Sequence, residues 1–232
     1  MARLVNAHQD AHWENRRTYR DPRDTVARAF AVPKIDWICD ALDIGRDASV
    51  LDVGAGNGMF TWWWRDRGAR VRGVELSQKM IERSPCRQLL VRGSAYELPF
   101  DDGSFDVVFE ANLLHHLEQP ADALREMARV SRGAVAVCEP NRNHVPMAMF
   151  GAMSSVCRGL LAYSRHTLIS LAAEADLAVV GATAHGYVYE NRSPKLSLPV
   201  ARRLERVSPG GAYVVLACRS AASNHDGDTH DA

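Results

Sequence analysis

Apolar and polar residues alternate along the chain in a way that predicts strands separated by helices. Apolar runs of strand length lie at residues 49–53, 71–75, 88–92, 104–110 and 134–139. Between several of these runs the apolar residues recur at helical spacing, as in 60–67, 77–83 and 121–130, and Ser77 is suited to cap the second of these helices. Because the strand-length runs are almost continuously apolar, the pattern predicts a parallel sheet covered by helices on both faces.

Further elements are predicted before and after this region. The apolar positions of residues 24–42 recur at near-helical spacing, and Pro33 is expected to break this stretch into two helices. Ser164 is predicted to cap a helix at 165–175. Two more strands are predicted at 178–182 and 212–218, separated by a long loop and a basic helix near 199–207.

The 232 residues suit one α/β domain with polar segments at either end. Residues 1–22 are rich in His, Arg and Asn, and we interpret them as a flexible arm or a segment that orders on binding. Residues 23–219 are predicted to form the domain, with an insertion at about 141–163 that contains no clear strand. Residues 220–232 consist mostly of Ser, Asn, His, Asp and Gly, and a disordered tail is predicted there.

Composition narrows the classes of function. Lys plus Arg and Asp plus Glu both number 28, so no global charge attracts nucleic acid, and no nucleic-acid partner is expected. The five cysteines form no CxxC pair, which favours reduced thiols in a cytoplasmic protein over a disulfide framework or a metal site. No apolar secretory signal is visible at the start of the sequence. The apolar stretch 145–163 is interrupted by Ser154, Ser155 and Arg158, so no membrane span is predicted.

The most informative motif is the glycine-rich turn that follows the first predicted strand. Gly54, Gly56 and Gly58 allow the backbone to turn sharply and to pass close to a ligand. The fingerprint of dinucleotide-binding proteins requires a glycine at position 59, where this chain has Met59. Asp52, at the end of the strand, would repel a pyrophosphate but attract the ammonium group of an amino acid.

Several motifs resemble those of the class I S-adenosylmethionine-dependent methyltransferases, and the likeness runs over about residues 48–140. It is greatest for the small-molecule group related to ubiquinone and sugar methyltransferases. The matching segments are the turn 52–58, the acidic Glu75 after the second strand, and residues 93–100, 105–117, 129–130 and 137–141. This resemblance implies a Rossmann-like, seven-stranded, mostly parallel sheet with an antiparallel last strand, helices on both faces, and S-adenosylmethionine as cofactor.

The resemblance also implies which residues bind the cofactor. Glu75 would hold both ribose hydroxyls, and Asp52 would bind the ammonium group or cap the glycine-rich turn. Ser94 stands where the family commonly has Asp, and would bind the adenine amino group more weakly. The full set of expected cofactor-binding residues is Asp52, Gly54, Ala55, Gly56, Asn57, Gly58, Glu75, Leu76, Ser94, Ala95 and Asn112.

Adjacent histidines supply the candidate catalytic residue. By resemblance to sugar O-methyltransferases, His115 would be the general base, Glu139 would assist it, and His116 would pack inward. An imidazole titrates in the range that deprotonation of a hydroxyl requires. A purely structural role for both histidines remains an alternative. The predicted activity is methyl transfer to a small-molecule acceptor, with O-methylation favoured; N- or C-methylation without a histidine base and non-catalytic binding of S-adenosylmethionine stay open.

Overall fold

The computed structural model describes residues 19–153, 158–189, 193–207 and 211–220, which form one seven-stranded sheet and the helices around it. The strands are β1 Ser49–Val53, β2 Arg70–Glu75, β3 Leu90–Arg92, β4 Phe105–Ala111, β5 Ser131–Pro140, β6 Leu177–His185 and β7 Tyr213–Ser220. The helices are α1 Thr25–Leu42, α2 Met59–Asp66, α3 Gln78–Arg83, α4 Pro120–Val130, α5 Val145–Met153, α6 Arg165–Glu174 and α7 Leu198–Val207.

The strand order is β3-β2-β1-β4-β5-β7-β6, and the order reverses next to β1. Neighbouring strands from β3 to β5 are parallel, whereas β7 runs antiparallel to both β5 and β6. This arrangement confirms the predicted fold class. In open sheets of this kind, ligands bind beyond the carboxyl ends of the parallel strands, at the point where the strand order reverses.

Each face of the sheet carries its own apolar core. On one face, Phe30 of α1 and Trp64 of α2 pack with Phe109 of β4. On the other, Leu124 of α4 and Leu168 of α6 pack against the sheet. Both sides of the central strands are therefore buried. For this reason the strand-length runs do not show the alternation of apolar and polar residues that is typical of a half-exposed sheet.

Helix α1 corrects one sequence prediction. Pro33 was expected to divide this stretch, but the helix is continuous from Thr25 to Leu42. Asp24 caps its start by accepting a hydrogen bond from the N–H of Val26. Proline removes one backbone hydrogen bond, but burial of a full apolar face favours the intact helix over two shorter pieces.

Other predicted features are present with shifted boundaries. Ser77 caps α3, and Ser164 caps α6 through a capping box with Thr167. The predicted insertion contains α5 and a 3₁₀ turn at Arg158–Leu161. Of the predicted arm, residues 19–22 are described and residues 1–18 are outside the described part. Of the predicted tail, Ser220 ends β7, and 221–232 are likewise outside.

Two features are absent from the part of the chain that the structure describes. No helix of this part is long and apolar enough to cross a membrane. Nor does this part contain a group of three or more His, Cys, Asp or Glu side chains arranged to hold a metal ion.

Candidate functional site

A cavity opens at the carboxyl ends of β1, β2, β3 and β4, where the fold predicts a ligand site. Its walls come from the turns that follow these strands and from Tyr19 in the segment before α1. The lining residues are Tyr19, Asp52, Gly54, Ala55, Gly56, Asn57, Met59, Phe60, Val74, Glu75, Leu76, Met80, Gly93, Ser94, Ala95, Tyr96, Ala111, Asn112, Leu113, His116 and Leu117.

All but one of the predicted cofactor-binding residues lie on this wall. The exception is Gly58, which is not among the lining residues. It precedes α2 with a φ of 81°, and a Cβ atom there would lie 2.4 Å from Oγ of Ser84. The requirement for glycine at 58 therefore comes from its positive φ and from the close packing of Ser84, and its predicted contact with the cofactor stays a prediction.

The glycine-rich turn brings backbone close to the cavity. Gly54 and Gly56 adopt φ values of 70° and 57°, a region that favours glycine. At Gly54, a Cβ would lie 2.9 Å from Cδ1 of Leu113, so the turn after β1 packs directly on the turn after β4. These two turns together form the floor between the ends of their strands.

Asp52 places a buried carboxyl group at the end of β1. The residue is 2% exposed, and Oγ1 of Thr61 donates a hydrogen bond of 2.6 Å to its Oδ2. Burial raises the pKa of Asp52 to about 7, and the nearby Glu75 contributes to this rise. A cation bound in the cavity would favour the ionised form, so this wall suits an ammonium group.

Glu75 is held at the end of β2 by two backbone donors. Its Oε2 accepts from the N–H of Gly56 and its Oε1 from the N–H of Ser77, each at 2.8 Å. A carboxylate oxygen can accept more than one hydrogen bond, so these backbone contacts are compatible with hydroxyl donors from the cavity. The two backbone donors also fix the orientation of the carboxylate toward hydroxyl groups in the cavity.

Much of the remaining cavity lining is apolar. Leu76, Met80, Ala95 and Leu113 line it together with the ring of Tyr96. The hydroxyl group of Tyr96 accepts the N–H of Gln119 at 3.2 Å, which holds the ring in place. A flat heterocycle suits these walls. With the two carboxyl groups, the cavity therefore offers what S-adenosylmethionine needs for its base, ribose and amino-acid part.

The pair of histidines lies the opposite way round from the prediction. His116 lines the cavity, whereas the side chain of His115 is 4% exposed and absent from the wall. Nδ1 of His115 lies 2.5 Å from Oε2 of Glu139, and the two imidazole centroids are 3.9 Å apart. On the 3₁₀ turn at Leu114–His116, the contact with Glu139 holds His115 in the interior, and the neighbouring ring of His116 lies at the cavity wall.

Burial favours the uncharged forms of the His115–Glu139 pair. It lowers the pKa of His115 to about 3 and raises that of Glu139 to about 8. Glu139 is fully buried, and its Oε1 accepts the N–H of Leu114 at 2.6 Å. Gly159, in the 3₁₀ turn at Arg158–Leu161, packs on the imidazole, because a Cβ there would lie 2.8 Å from Cδ2 of His115.

Sequence reasoning missed several cavity residues. Tyr96 and Leu113 fall inside the motifs that were recognised, so their position after β3 and β4 could have identified them. Tyr19 carries no signal in the sequence, since it belongs to a polar segment and reaches the cavity only through tertiary contacts. The other missed residues with side chains on the wall are Met59, Phe60, Val74, Met80, Ala111, His116 and Leu117.

Part of the chain is similar to known methyltransferases. Residues 51–137 match a family model described as methyltransferase domain. An uncharacterized methyltransferase of Mycobacterium sp. (strain KMS) is 40% identical over 93 residues, 38% of this chain and 37% of that protein. The ubiquinone biosynthesis O-methyltransferase of Dechloromonas aromatica is 31% identical over 123 residues, 47% of this chain and 51% of that protein. The matches thus span about half or less of these relatives.

The fold has counterparts among solved structures. An S-adenosylmethionine-dependent methyltransferase of Thermotoga maritima, described as a possible histamine N-methyltransferase, has a TM-score of 0.59 at 18% identity. The superposition covers 84% of this chain and 90% of that one. At this identity the likeness establishes the arrangement of strands and helices alone.

Proposed function

We propose that the chain is a class I S-adenosylmethionine-dependent methyltransferase and that it transfers the methyl group of this cofactor to a hydroxyl oxygen of a small molecule. The observation that carries the methyl-transfer proposal is the cavity with Asp52 and Glu75 at the ends of neighbouring strands. Asp52 would bind the ammonium group, Glu75 the ribose hydroxyls, and the apolar wall near Tyr96 the adenine.

The cofactor supplies a methyl group on a positively charged sulfur, which leaves with the bonding electrons as a neutral thioether. The protein therefore has to align the acceptor oxygen with the methyl carbon, exclude water and accept one proton. Neutral His115, with its proton on Nδ1 and directed to ionised Glu139, would accept the hydroxyl proton at Nε2. The charge of the pair then changes from −1 to 0.

For the proposed reaction, the hydroxyl group must reach Nε2 of His115, whose side chain is 4% exposed and does not line the cavity. Gly159 packs so closely against Cδ2, the carbon next to Nε2, that even a methyl group there would collide with the ring. A hydroxyl group that reaches Nε2 must enter beside this turn. The O-methyltransferase name of the Dechloromonas relative supports a hydroxyl acceptor.

The test combines cofactor binding with methyl transfer. Calorimetry with S-adenosylhomocysteine should show binding, and NAD should give none. Labelled S-adenosylmethionine would then be offered to matched pairs of small acceptors that carry a hydroxyl or an amine on the same skeleton. We expect label on the hydroxyl compounds, with a rate that depends on one ionisation.

Each alternative has its own result in this experiment. Label on the amines or on carbon, with no such pH dependence, would favour a methyltransferase without a histidine base. Tight binding of S-adenosylhomocysteine without transfer to any acceptor would favour a non-catalytic binding protein. Absence of S-adenosylhomocysteine binding would contradict the proposal as a whole.

A further inference from the structure

Apolar side chains are exposed on two helices beside the carboxyl edge of the sheet. Of the large apolar side chains that are exposed among the described residues, all but one lie on α5, on α7 or on the 3₁₀ turn at Lys195–Ser197 that leads into α7. The exception is Val180, on β6. Their exposed fractions are 67% for Val145, 61% for Met149, 90% for Leu196, 62% for Val200, 41% for Leu204 and 53% for Val180. Such clustering differs from the single, scattered apolar residues of an ordinary protein surface.

Both helices adjoin the same edge of the sheet. α5 follows β5, which ends at Pro140, and α7 precedes β7, whose first residue Tyr213 pairs with Pro140. The inner sides of the two helices are buried, since Met147 and Ala201 belong to one apolar core. The exposed side chains therefore lie on the outer sides of α5 and α7. We call this set the apolar rim: Val145, Met149, Leu196, Val200 and Leu204.

The spacing of the apolar rim places its side chains in rows. Val145 and Met149 are four residues apart on α5, and residues 196, 200 and 204 recur at the same interval, which is the spacing of one helical face. No member of the rim is aromatic, whereas the centres of protein–protein interfaces are enriched in Tyr, Trp and Phe. Rows of aliphatic side chains suit the boundary between the headgroups and the acyl chains of a lipid bilayer.

The segments that carry the apolar rim are the basic part of a chain with no net charge. Residues 141–163 and 186–207 together contain seven Lys or Arg and two Glu, whereas the whole chain contains 28 basic and 28 acidic residues. Arg142 and Arg203 are exposed, and Lys195 forms an ion pair with Asp24. An excess of positive charge beside exposed aliphatic side chains is complementary to a surface of anionic lipid.

We propose that the apolar rim docks on the surface of a bilayer that contains anionic lipid. The aliphatic side chains would lie at the upper ends of the acyl chains, and the arginines would lie at the phosphates of the headgroups. This docking does not depend on the proposed methyl transfer, because it uses neither the cavity nor the histidines. It is binding at the surface, since no helix among the described residues is long and apolar enough to cross a membrane.

The experiment is sedimentation of the full chain with large unilamellar vesicles. Vesicles of phosphatidylcholine mixed with an equal amount of phosphatidylglycerol are compared with vesicles of phosphatidylcholine alone. We expect the chain to sediment with the anionic vesicles and to bind the neutral ones at least tenfold more weakly, with an affinity for the anionic vesicles that falls as NaCl is raised. Equal binding to both kinds of vesicle, or binding to neither, would overturn the proposal.

A matched pair of valines tests the apolar contribution. Val200→Gln removes an apolar side chain from the rim, and Val180→Gln removes one of similar exposure from β6. Together with Leu196→Gln, the change at Val200 should weaken binding to the anionic vesicles roughly tenfold or more, because aliphatic side chains that leave water are lost. Val180→Gln should bind like the parent protein. Equal affinities of the rim variant and the Val180 variant would contradict docking through the rim.

A second pair of variants tests the charges. Arg142→Gln and Arg203→Gln should each weaken binding to the anionic vesicles about fivefold, the usual contribution of one basic residue near an anionic surface. Arg46→Gln is the control, because Arg46 is exposed in the loop between α1 and β1, at the opposite edge of the sheet. If the loss were the same for Arg46 as for the two rim arginines, the proposed orientation on the lipid would be wrong.

Other occupants of the apolar rim give different results. A second copy of this chain would produce a dimer without lipid in sedimentation equilibrium, which Val200→Gln would abolish, and no binding to vesicles. An acidic protein partner would also leave the vesicles unbound. Either result would overturn the proposal. All the substituted side chains are exposed, so the variants should unfold at the temperature of the parent protein, and thermal unfolding of each variant checks this.

Discussion

At the scale of the residue, the buried carboxyl group of Asp52 links cofactor binding to pH. Its pKa of about 7 means that it is partly protonated at neutral pH before a ligand binds. Binding of an ammonium group requires the ionised form, so the affinity for S-adenosylhomocysteine should level off about one pH unit above this pKa. Below pH 7 it should fall, approaching tenfold for each pH unit. Calorimetry at pH 5.5, 6.5 and 7.5 measures this dependence.

The matched variant for that experiment is Asp52→Asn. It retains the shape of the side chain but cannot ionise, so its affinity should be low and nearly independent of pH over the same range. If the parent protein also bound equally well at pH 5.5 and 7.5, Asp52 would not be the group that binds the ammonium.

Glu75→Ala tests the ribose contact. Charged hydrogen bonds contribute about 1.5–3 kcal/mol each, so loss of two should weaken S-adenosylhomocysteine binding by several kcal/mol. Because Glu75 also accepts the N–H groups of Gly56 and Ser77, part of the loss will come from a looser glycine-rich turn. Glu82→Ala, on the exposed side of α3, is the control, and equal affinity in all three proteins would rule out the ribose assignment.

Local motifs predict the position of a residue well where that position depends only on the local backbone. The turn at Gly54 and Gly56 and the acid at the end of β2 lie at the cavity because strand ends and turns follow directly from the sequence. The orientation of His115 and His116 depends on a partner from another strand, Glu139.

At the scale of the element, substitution of Pro33 measures the free-energy cost of proline that the burial of α1 has to offset. Substitution by Ala restores an N–H for the preceding turn, and Pro is about 3 kcal/mol less favourable than Ala in a helix interior. Pro33→Ala should therefore raise the free energy of unfolding by roughly 1–3 kcal/mol in chemical denaturation. Pro120→Ala is the control, because Pro120 begins α4, where no N–H partner is lost, and should give no comparable gain.

The 3₁₀ turn that contains Gly159 can be tested by adding one methyl group. In Gly159→Ala the new Cβ would lie 2.8 Å from both Cδ2 and the backbone oxygen of His115, so the turn and the ring must separate. Turnover should fall roughly tenfold or more, since small misplacements of reacting groups are costly. Affinity for S-adenosylhomocysteine should stay close to that of the parent.

Gly45→Ala provides the comparison for Gly159→Ala. Its added Cβ would meet only a side-chain oxygen of Asp47, at 3.3 Å, in the loop after α1. Unchanged turnover in both variants would show that the edge of His115 at Gly159 is not used by the acceptor.

The boundaries of the elements can be predicted from the pattern of apolar residues to within a few residues. The strands β1, β4 and β5 are buried on both faces, so each is a continuous apolar run in the sequence. Pro33 shows where the pattern fails. A breaking residue in the sequence indicates a local cost, but the gain from packing α1 on the sheet is a property of the assembled core and cannot be read from the helix alone.

At the scale of the whole molecule, the segment before α1 joins the cavity to the last third of the chain. The carbonyl groups of Arg20 and Pro22 accept from Asn57 and Trp63 at 2.9 Å, and Tyr19 lines the cavity. Asp24 forms an ion pair of 2.9 Å with Lys195. This segment overlaps the end of the predicted arm 1–22, so part of that arm contributes to the site.

Removal of residues 1–23 should therefore weaken binding of S-adenosylhomocysteine at least tenfold, about 1.4 kcal/mol, while the sheet still folds. Removal of residues 1–18 leaves every contact just described in place and should have little effect. Calorimetry and thermal unfolding of both truncated proteins measure this difference. Equal affinities would show that the contacts of residues 19–22 do not support the cavity.

The position of β7 has a consequence for how the chain folds during synthesis. β6 pairs only with β7 among the described strands, and β7 fits between β5 and β6. On the ribosome, β6 emerges before β7 and has no strand to pair with until β7 follows. Such late, non-local pairing slows folding and leaves strand edges exposed. The edge of β6 is thus exposed in the nascent chain at the moment when the strands that surround the cavity have already been synthesised.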